Sequence, residues 1–235
     1  MMPPEQTCEQ QLEALRKEFE EFAYIVSHDL KAPLRAINNL SAWIGEDLGE
    51  NQEPEVQNNL QLLQNRTQRM ERMINGLLEY SRVSRQDLEV QEVSVEAMVQ
   101  RLAGAFPQSQ TLEVHPSHLP TFKTYAKKLE TVFQQLLQNA VTFNEQETPE
   151  AWIEAQEQAD AFVFKVRDNG IGIPAEAQPK VFNIFFTVQP KDRHETLGVG
   201  LAITRKIIQF VGGSISVQST PGHGTDFMFT WPKTI

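Results

Sequence analysis

Between Leu12 and Leu48 the apolar positions advance in steps of three and four: Leu12, Leu15, Phe19, Phe22, Val26, Leu30, Leu34, Ile37, Ser41, Ile44 and Leu48. That period belongs to one face of a long amphipathic helix, and charged residues crowd its other faces in the manner of a coiled coil. GENQEP, residues 49–54, then supplies a Gly past the helix end and a Pro at the start of the next. A second stripe follows through Val56, Leu60, Leu63, Thr67, Met70, Ile74 and Leu77. The expectation is an antiparallel helical hairpin. Two helices alone make a thin core, so pairing two hairpins into a four-helix bundle would cover both stripes. A homodimer is therefore expected, the alternative being a monomer whose hairpin packs on its own C-terminal half.

The heptad pattern stops at residues 84–87, SRQD, which marks a domain boundary and makes residues 87–235 a second domain. Residues 1–20 read as a coiled-coil linker cut from a longer rod. Beyond the boundary, residues 88–93 and 111–114 read as short strands around a helix at 95–106. A strongly amphipathic helix spans 129–143, strands 151–155 and 162–166 alternate as a pair, 199–211 is helical, and 214–218 with 225–231 close as a hairpin. This order gives an α/β sandwich with helices on one face of a mixed sheet, and α+β for the whole chain.

Composition excludes several classes. Among 235 residues, 40% are hydrophobic and 22% charged, which is ordinary globular material, and the net charge of -10 argues against a nucleic-acid or anionic-membrane surface. The single cysteine, Cys8, allows no internal disulfide and fits a reducing compartment. No apolar run reaches the roughly 20 residues of a membrane span, and the opening MMPPEQTCEQQ lacks the apolar core of a signal peptide. A cytoplasmic protein, or the cytoplasmic piece of a longer one, is expected.

Four stretches carry chemistry. In FAYIVSHDLKAPLRAI, residues 22–37, His28 lies about 200° around the helix from Val26 and so points away from the apolar stripe, with Asp29 beside it and a kink expected at Pro33. QLLQNAVTFN, residues 135–144, places Asn139 near a helix end, where an amide oxygen can ligate a hard cation such as magnesium. RDNGIGIP, residues 167–174, follows a strand. Asp168 offers an acceptor for an amino group such as that of adenine, and Gly170 and Gly172 let backbone approach a flat ligand. LGVGLAI, residues 197–203, opens a helix with Gly198 and Gly200, whose exposed N–H groups suit an anion. Neither the P-loop nor the Rossmann spacing is present. Between the last two, residues 181–196, VFNIFFTVQPKDRHET, read as a mobile lid.

Taken in order, these blocks resemble the sensor histidine kinases of two-component signalling. SHDLKAPL is similar to the phosphoacceptor box, QLLQNAVTFN to the asparagine box, RDNGIGIP and LGVGLAI to the two glycine boxes, and VFNIFF to the phenylalanine box. The resemblance covers residues from about 20 to 231 and implies a dimerisation and histidine-phosphotransfer domain at 21–86 and a Bergerat-type ATP-binding domain at 87–235. It makes His28 the nucleophile toward the γ-phosphoryl group of ATP, and Asp29 the group that accepts or polarises the ring proton. It makes Asn139 the magnesium ligand, Asp168 the adenine contact with Phe143 packing near the base, and Gly170, Gly172, Gly198 and Gly200 the backbone approach to the nucleotide. An aspartate on a response regulator receiver domain would take the phosphoryl group onward.

The chain departs from the family's usual residues at four places. Gln135 stands where a second Asn is common, Thr142 where a basic residue is common, and Leu197 where a hydroxyl is common. Lys191, Arg193 or His194 in the lid could supply the missing positive charge. Ala32 stands four after His28 where Thr or Asn often orients a water, so low phosphatase activity is expected. Those departures sustain one rival, a degenerate kinase acting as an ATP-modulated dimeric docking module. An upstream sensor, domain or separate protein, is expected to provide the input.

Overall fold

The structure is a computed structural model that describes residues 8–49, 53–107, 111–188 and 196–235. It divides into two compact units, residues 1–82 and 83–235.

The first unit is a helical hairpin of α1 (Cys8–Leu48) and α2 (Pro54–Arg82). Gly49 adopts a left-handed φ of 65° and donates its N–H to the Glu46 carbonyl, ending α1 where the sequence placed the turn. The face along which the two helices meet is not the stripe of large apolar residues. Ala23, Ser27, Leu34 and Ser41 are buried on α1, and Thr67, Ile74, Gly76 and Ser81 on α2, whereas Leu15, Phe19, Phe22, Leu30, Ile37, Ile44 and Leu48 are exposed. Small side chains let the helices approach, and the buried hydroxyls of Ser41, Thr67 and Ser81 return to carbonyls of their own helices. On α1 only Leu34 and Ser41 belong to both faces, and on α2 only Thr67 and Ile74. The helix runs through Pro33, whose ring carries no N–H, so the carbonyl of Asp29 has no helical donor.

The second unit has the sandwich architecture. Its elements are β1 (Val90–Ser94), α3 (Val95–Gly104), β2 (Glu113–Ser117), β3 (Thr121–Tyr125), α4 (Ala126–Thr142), β4 (Glu150–Glu157), β5 (Ala161–Asp168), α5 (Gly200–Phe210), β6 (Ile215–Ser219) and β7 (Thr225–Pro232), with a short 3₁₀ turn at Gln178–Lys180. Five strands form a sheet in the order β2-β4-β5-β7-β6, parallel only between β2 and β4. The sequence reading missed β3. TFKTY, a short strand running directly into α4, pairs antiparallel with β1 in a separate ribbon.

Strict alternation builds the core. Phe162, Phe164, Val166 and Asp168 of β5 point inward, and so do Thr225, Phe227, Phe229 and Trp231 of β7. The register sets Phe164 beside Phe229, Val166 beside Phe227 and Asp168 beside Thr225. From α4, the buried Phe133 meets Phe164 edge-on at 5.5 Å and Phe229 at 5.7 Å. Trp231, fully buried, donates its indole N–H to Thr124 Oγ1 at 2.8 Å and so ties the ribbon to the sheet. Lys128 is also buried. Its ammonium donates to the Val83 carbonyl and lies 4.6 Å from the Phe210 ring, and burial pushes its pKa down.

Candidate functional site

At the end of β5 the alternation that builds the core carries an acidic side chain inward. Asp168 is 8% exposed, and its Oδ1 accepts the N–H of Gly170 at 2.9 Å and that of Thr225 at 3.2 Å. Burial pushes its carboxyl up to about 6, against the downward pull of those two backbone donors, and Asp226 adds to the rise. Among the described residues its Oδ2 has no donor, which leaves that oxygen for a ligand amino group.

The loop after Asp168 lies against the end of α4. Phe143, the residue capping α4, accepts the Ile171 N–H at 3.0 Å, and a Cβ on Gly170 would stand 2.5 Å from that same carbonyl. Gly172 is as tightly confined by the Thr220 carbonyl. Asn169 is held separately: its Oδ1 accepts from Asn144 Nδ2 at 2.6 Å and from the Glu150 N–H at 2.9 Å. One turn before Phe143 on α4 sits Asn139, whose Nδ2 is buried without a hydrogen-bond partner. One turn earlier again, Gln135 reaches the first residue of α5, its Oε1 lying 2.2 Å from where a Cβ on Gly200 would be. Gly198 has a φ of 68° with the Phe186 carbonyl directly beneath it, and its own carbonyl accepts the Phe185 N–H at 2.8 Å. A side chain there meets both a strained torsion and an occupied space.

Phe143, Asp168, Gly170 and Gly172 thus share one wall, and Asn139 and Gln135 line the helix face leading to Gly200 and Gly198. Thr142, where a cation is often found, is engaged by Gln138 Nε2 at 3.0 Å. Lys191, Arg193, His194 and the polar part of the expected lid lie outside the described residues. Two contributors escaped the sequence reading: Thr225, which supports Asp168 through its N–H, and Gly224, where a Cβ would fall 1.9 Å from the Asp168 carbonyl. The glycines of GHGT were the available signal.

His28 and Asp29 are in the other unit, on α1. The His28 side chain is 73% exposed and its Nδ1 stands 3.1 Å from Asp29 Oδ1. In the neutral ring a hydrogen on Nδ1 donates to that carboxylate and leaves the Nε2 lone pair free. Tyr24, one turn back, lies 6.4 Å away and carries Arg82 of α2 over its own ring at 5.5 Å.

Residues 20–86 match the His Kinase A (phospho-acceptor) domain, and residues 124–235 match the Histidine kinase-, DNA gyrase B-, and HSP90-like ATPase family. The chain belongs to the histidine kinases. Relatives of the kinase include Cyanobacterial phytochrome B of Nostoc sp., 36% identical over 228 residues that make up 94% of this chain and 30% of that protein. Sensor histidine kinase WalK of Bacillus subtilis is 30% identical over 233 residues, 94% of this chain and 38% of WalK. The kinase therefore spans about a third of the length of such relatives. The crystal structure of full-length ShkA in complex with AMPPNP shares the fold, with a TM-score of 0.63 at 23% identity over 90% of this chain and 45% of that one. Among the described residues, no helix of the kinase is long and apolar enough to cross a membrane.

Proposed function

We propose that this chain phosphorylates itself on His28 from ATP and passes the phosphoryl group to an aspartate of a response regulator receiver domain. The observation that carries the reading is His28 itself, an exposed imidazole whose Nδ1 is engaged by Asp29, within the segment that matches the phospho-acceptor domain. Nε2 attacks the γ-phosphorus, the bond from that phosphorus to the β-bridging oxygen breaks, and its electron pair leaves with ADP. Asp29 holds the Nδ1 proton, whose acidity rises as Nε2 is phosphorylated.

In the second unit, Asp168 takes the adenine amino group, Phe143 flanks the base, and Gly170, Gly172, Gly198 and Gly200 keep backbone close to the nucleotide. The N-terminus of α5 has no side-chain cap, so its first N–H groups remain for phosphate oxygens. A magnesium ion fits Asn139, because the amide is not committed within the protein and can turn its oxygen toward the phosphates. That ion would neutralise charge on the phosphates. Residues 21–86 are then the dimerisation and phosphotransfer domain, 87–235 the ATP-binding domain and 1–20 the coiled-coil linker to an upstream sensor. The exposed apolar stripe of α1 supports a homodimer with a four-helix bundle, and the reading places the protein in the cytoplasm. No observation favours a degenerate docking module.

Incubation with γ-labelled ATP and magnesium tests the reading. Label that resists base, is lost in acid, and is absent from His28→Gln and Asp168→Asn is the expected result. Wild-type protein that binds ATP and takes no label would overturn it.

A further inference from the structure

On the open face of the sheet, opposite the helices, three metal-ligating side chains that belong to none of the motifs described above converge. We propose that Glu113, His115 and Glu150 hold a divalent transition-metal ion of the zinc class. One ligand atom from each lies within 4.8 Å of the other two, and His115 Nε2 already stands 3.0 Å from Glu150 Oε2. A tetrahedral ion with bonds of about 2.0 to 2.2 Å needs ligand atoms about 3.4 Å apart. Small side-chain rotations bring the set to that spacing.

The backbone explains the convergence. Glu113 and His115 are two apart on β2 and share a face, and the parallel register puts Glu113 beside Glu150 and His115 beside Trp152. The His115 ring is not free to wander, because Trp152 stacks on it at 5.3 Å and 19°, and the Arg167 guanidinium lies over Trp152 from the other side strand. Glu150 is fixed through its main chain, with its N–H on Asn169 Oδ1 and its carbonyl accepting the Asn169 N–H. Two glutamates opposite each other on neighbouring strands repel, and a cation between them turns that repulsion into coordination. An imidazole with two carboxylates suits zinc, whereas magnesium takes oxygen ligands and keeps its waters. Three protein ligands leave a fourth position for water. Because β2 is an outer strand of the sheet, an ion here would fasten it to β4.

The test is titration of the full chain, without nucleotide and in a Cys8→Ser background, with Zn²⁺ against a chromogenic chelator. One zinc per chain is expected, with affinity lowered at least about tenfold in both His115→Ala and Glu113→Gln, a loss of the size that even an outer-shell partner can cause. Both positions are exposed, and circular dichroism checks that the variants fold. Zinc should raise the melting temperature of the parent and not of the variants, and a hundredfold excess of Mg²⁺ should leave zinc bound. The proposal fails if both variants bind zinc within twofold of the parent, if Mg²⁺ displaces it, or if binding disappears in His28→Gln instead.

Discussion

Replacing Asp168 by Asn should make the ATP-binding unit more stable while making it a poorer binder. The rise of the Asp168 carboxyl from an ordinary 3.8 to about 6 means that the folded protein holds this proton more tightly than the unfolded chain. Stability therefore falls as pH rises from about 4 to 6 and stays lowered above that window, by about 3 kcal/mol at 1.36 kcal/mol per pH unit. The side chain is only 8% exposed, so solvent screening removes little of this. Asparagine keeps an oxygen to accept from Gly170 and Thr225 and carries no charge to bury. At pH 7.5 and without nucleotide, Asp168→Asn should melt about 6 to 12 °C above the parent, and the two should converge near pH 4. In the complex, however, the amide puts a donor where adenine presents its own. Loss of a hydrogen bond to a charged acceptor, about 1.5 to 3 kcal/mol, lowers ATP affinity about 10- to 150-fold. Scanning calorimetry across pH and isothermal titration with ATP read the two quantities separately. A variant that melts below the parent at pH 7.5, or binds ATP equally well, refutes the reasoning.

Other outcomes follow from the same structure. His28→Gln should abolish acid-labile labelling and leave melting and ATP affinity unchanged, because the ring is exposed, while Asp29→Asn should slow labelling by about 10²-fold or more in a single-turnover time course. Gly198→Ala should cost about 1 to 3 kcal/mol by urea unfolding, since its φ of 68° and the Phe186 carbonyl both oppose a side chain. Trp231→Phe should cost about 2 to 4 kcal/mol in the same assay, from the space vacated and the Thr124 hydroxyl stranded in the core. If the proposed homodimer forms through the exposed stripe of α1, Ile44→Glu should halve the mass measured by light scattering, and an unchanged mass would count against a dimer built on that stripe.

Much of this was legible in the residues. The period of α1 and α2 and the Gly49 turn define the hairpin, and the parity of Phe162, Phe164, Val166 and Asp168 shows that the carboxylate must lie inside. The pairing face of the hairpin was only partly legible: Leu34, Ser41, Thr67 and Ile74 lie on the periodic stripes, but Ala23, Ser27, Gly76 and Ser81 do not. Large residues dominate a periodicity search, whereas α2 also meets the small Ala23 and Ser27, which lie off the stripe. β3 escaped because TFKTY is short and runs straight into α4, with only the partner β1 to define it. The support of Asp168 by Thr225 depends on pairing across 57 positions of chain, a relation that only the sheet register supplies.

The hydroxyl-lined interior of the hairpin bears on how the protein should unfold. Few large side chains are buried between α1 and α2, so a lone hairpin has little cohesive free energy of its own, and in the proposed homodimer the second copy supplies it. Folding of the first unit is then coupled to association and subject to mass action, while the aromatic core of the second unit is intramolecular. Heating should give two transitions, of which the one from the helices moves upward with protein concentration and the one from the sheet does not. Under the proposed function, the phosphoacceptor would sit on the part of the molecule that yields most readily to its neighbours, and the nucleotide pocket on the part that yields least.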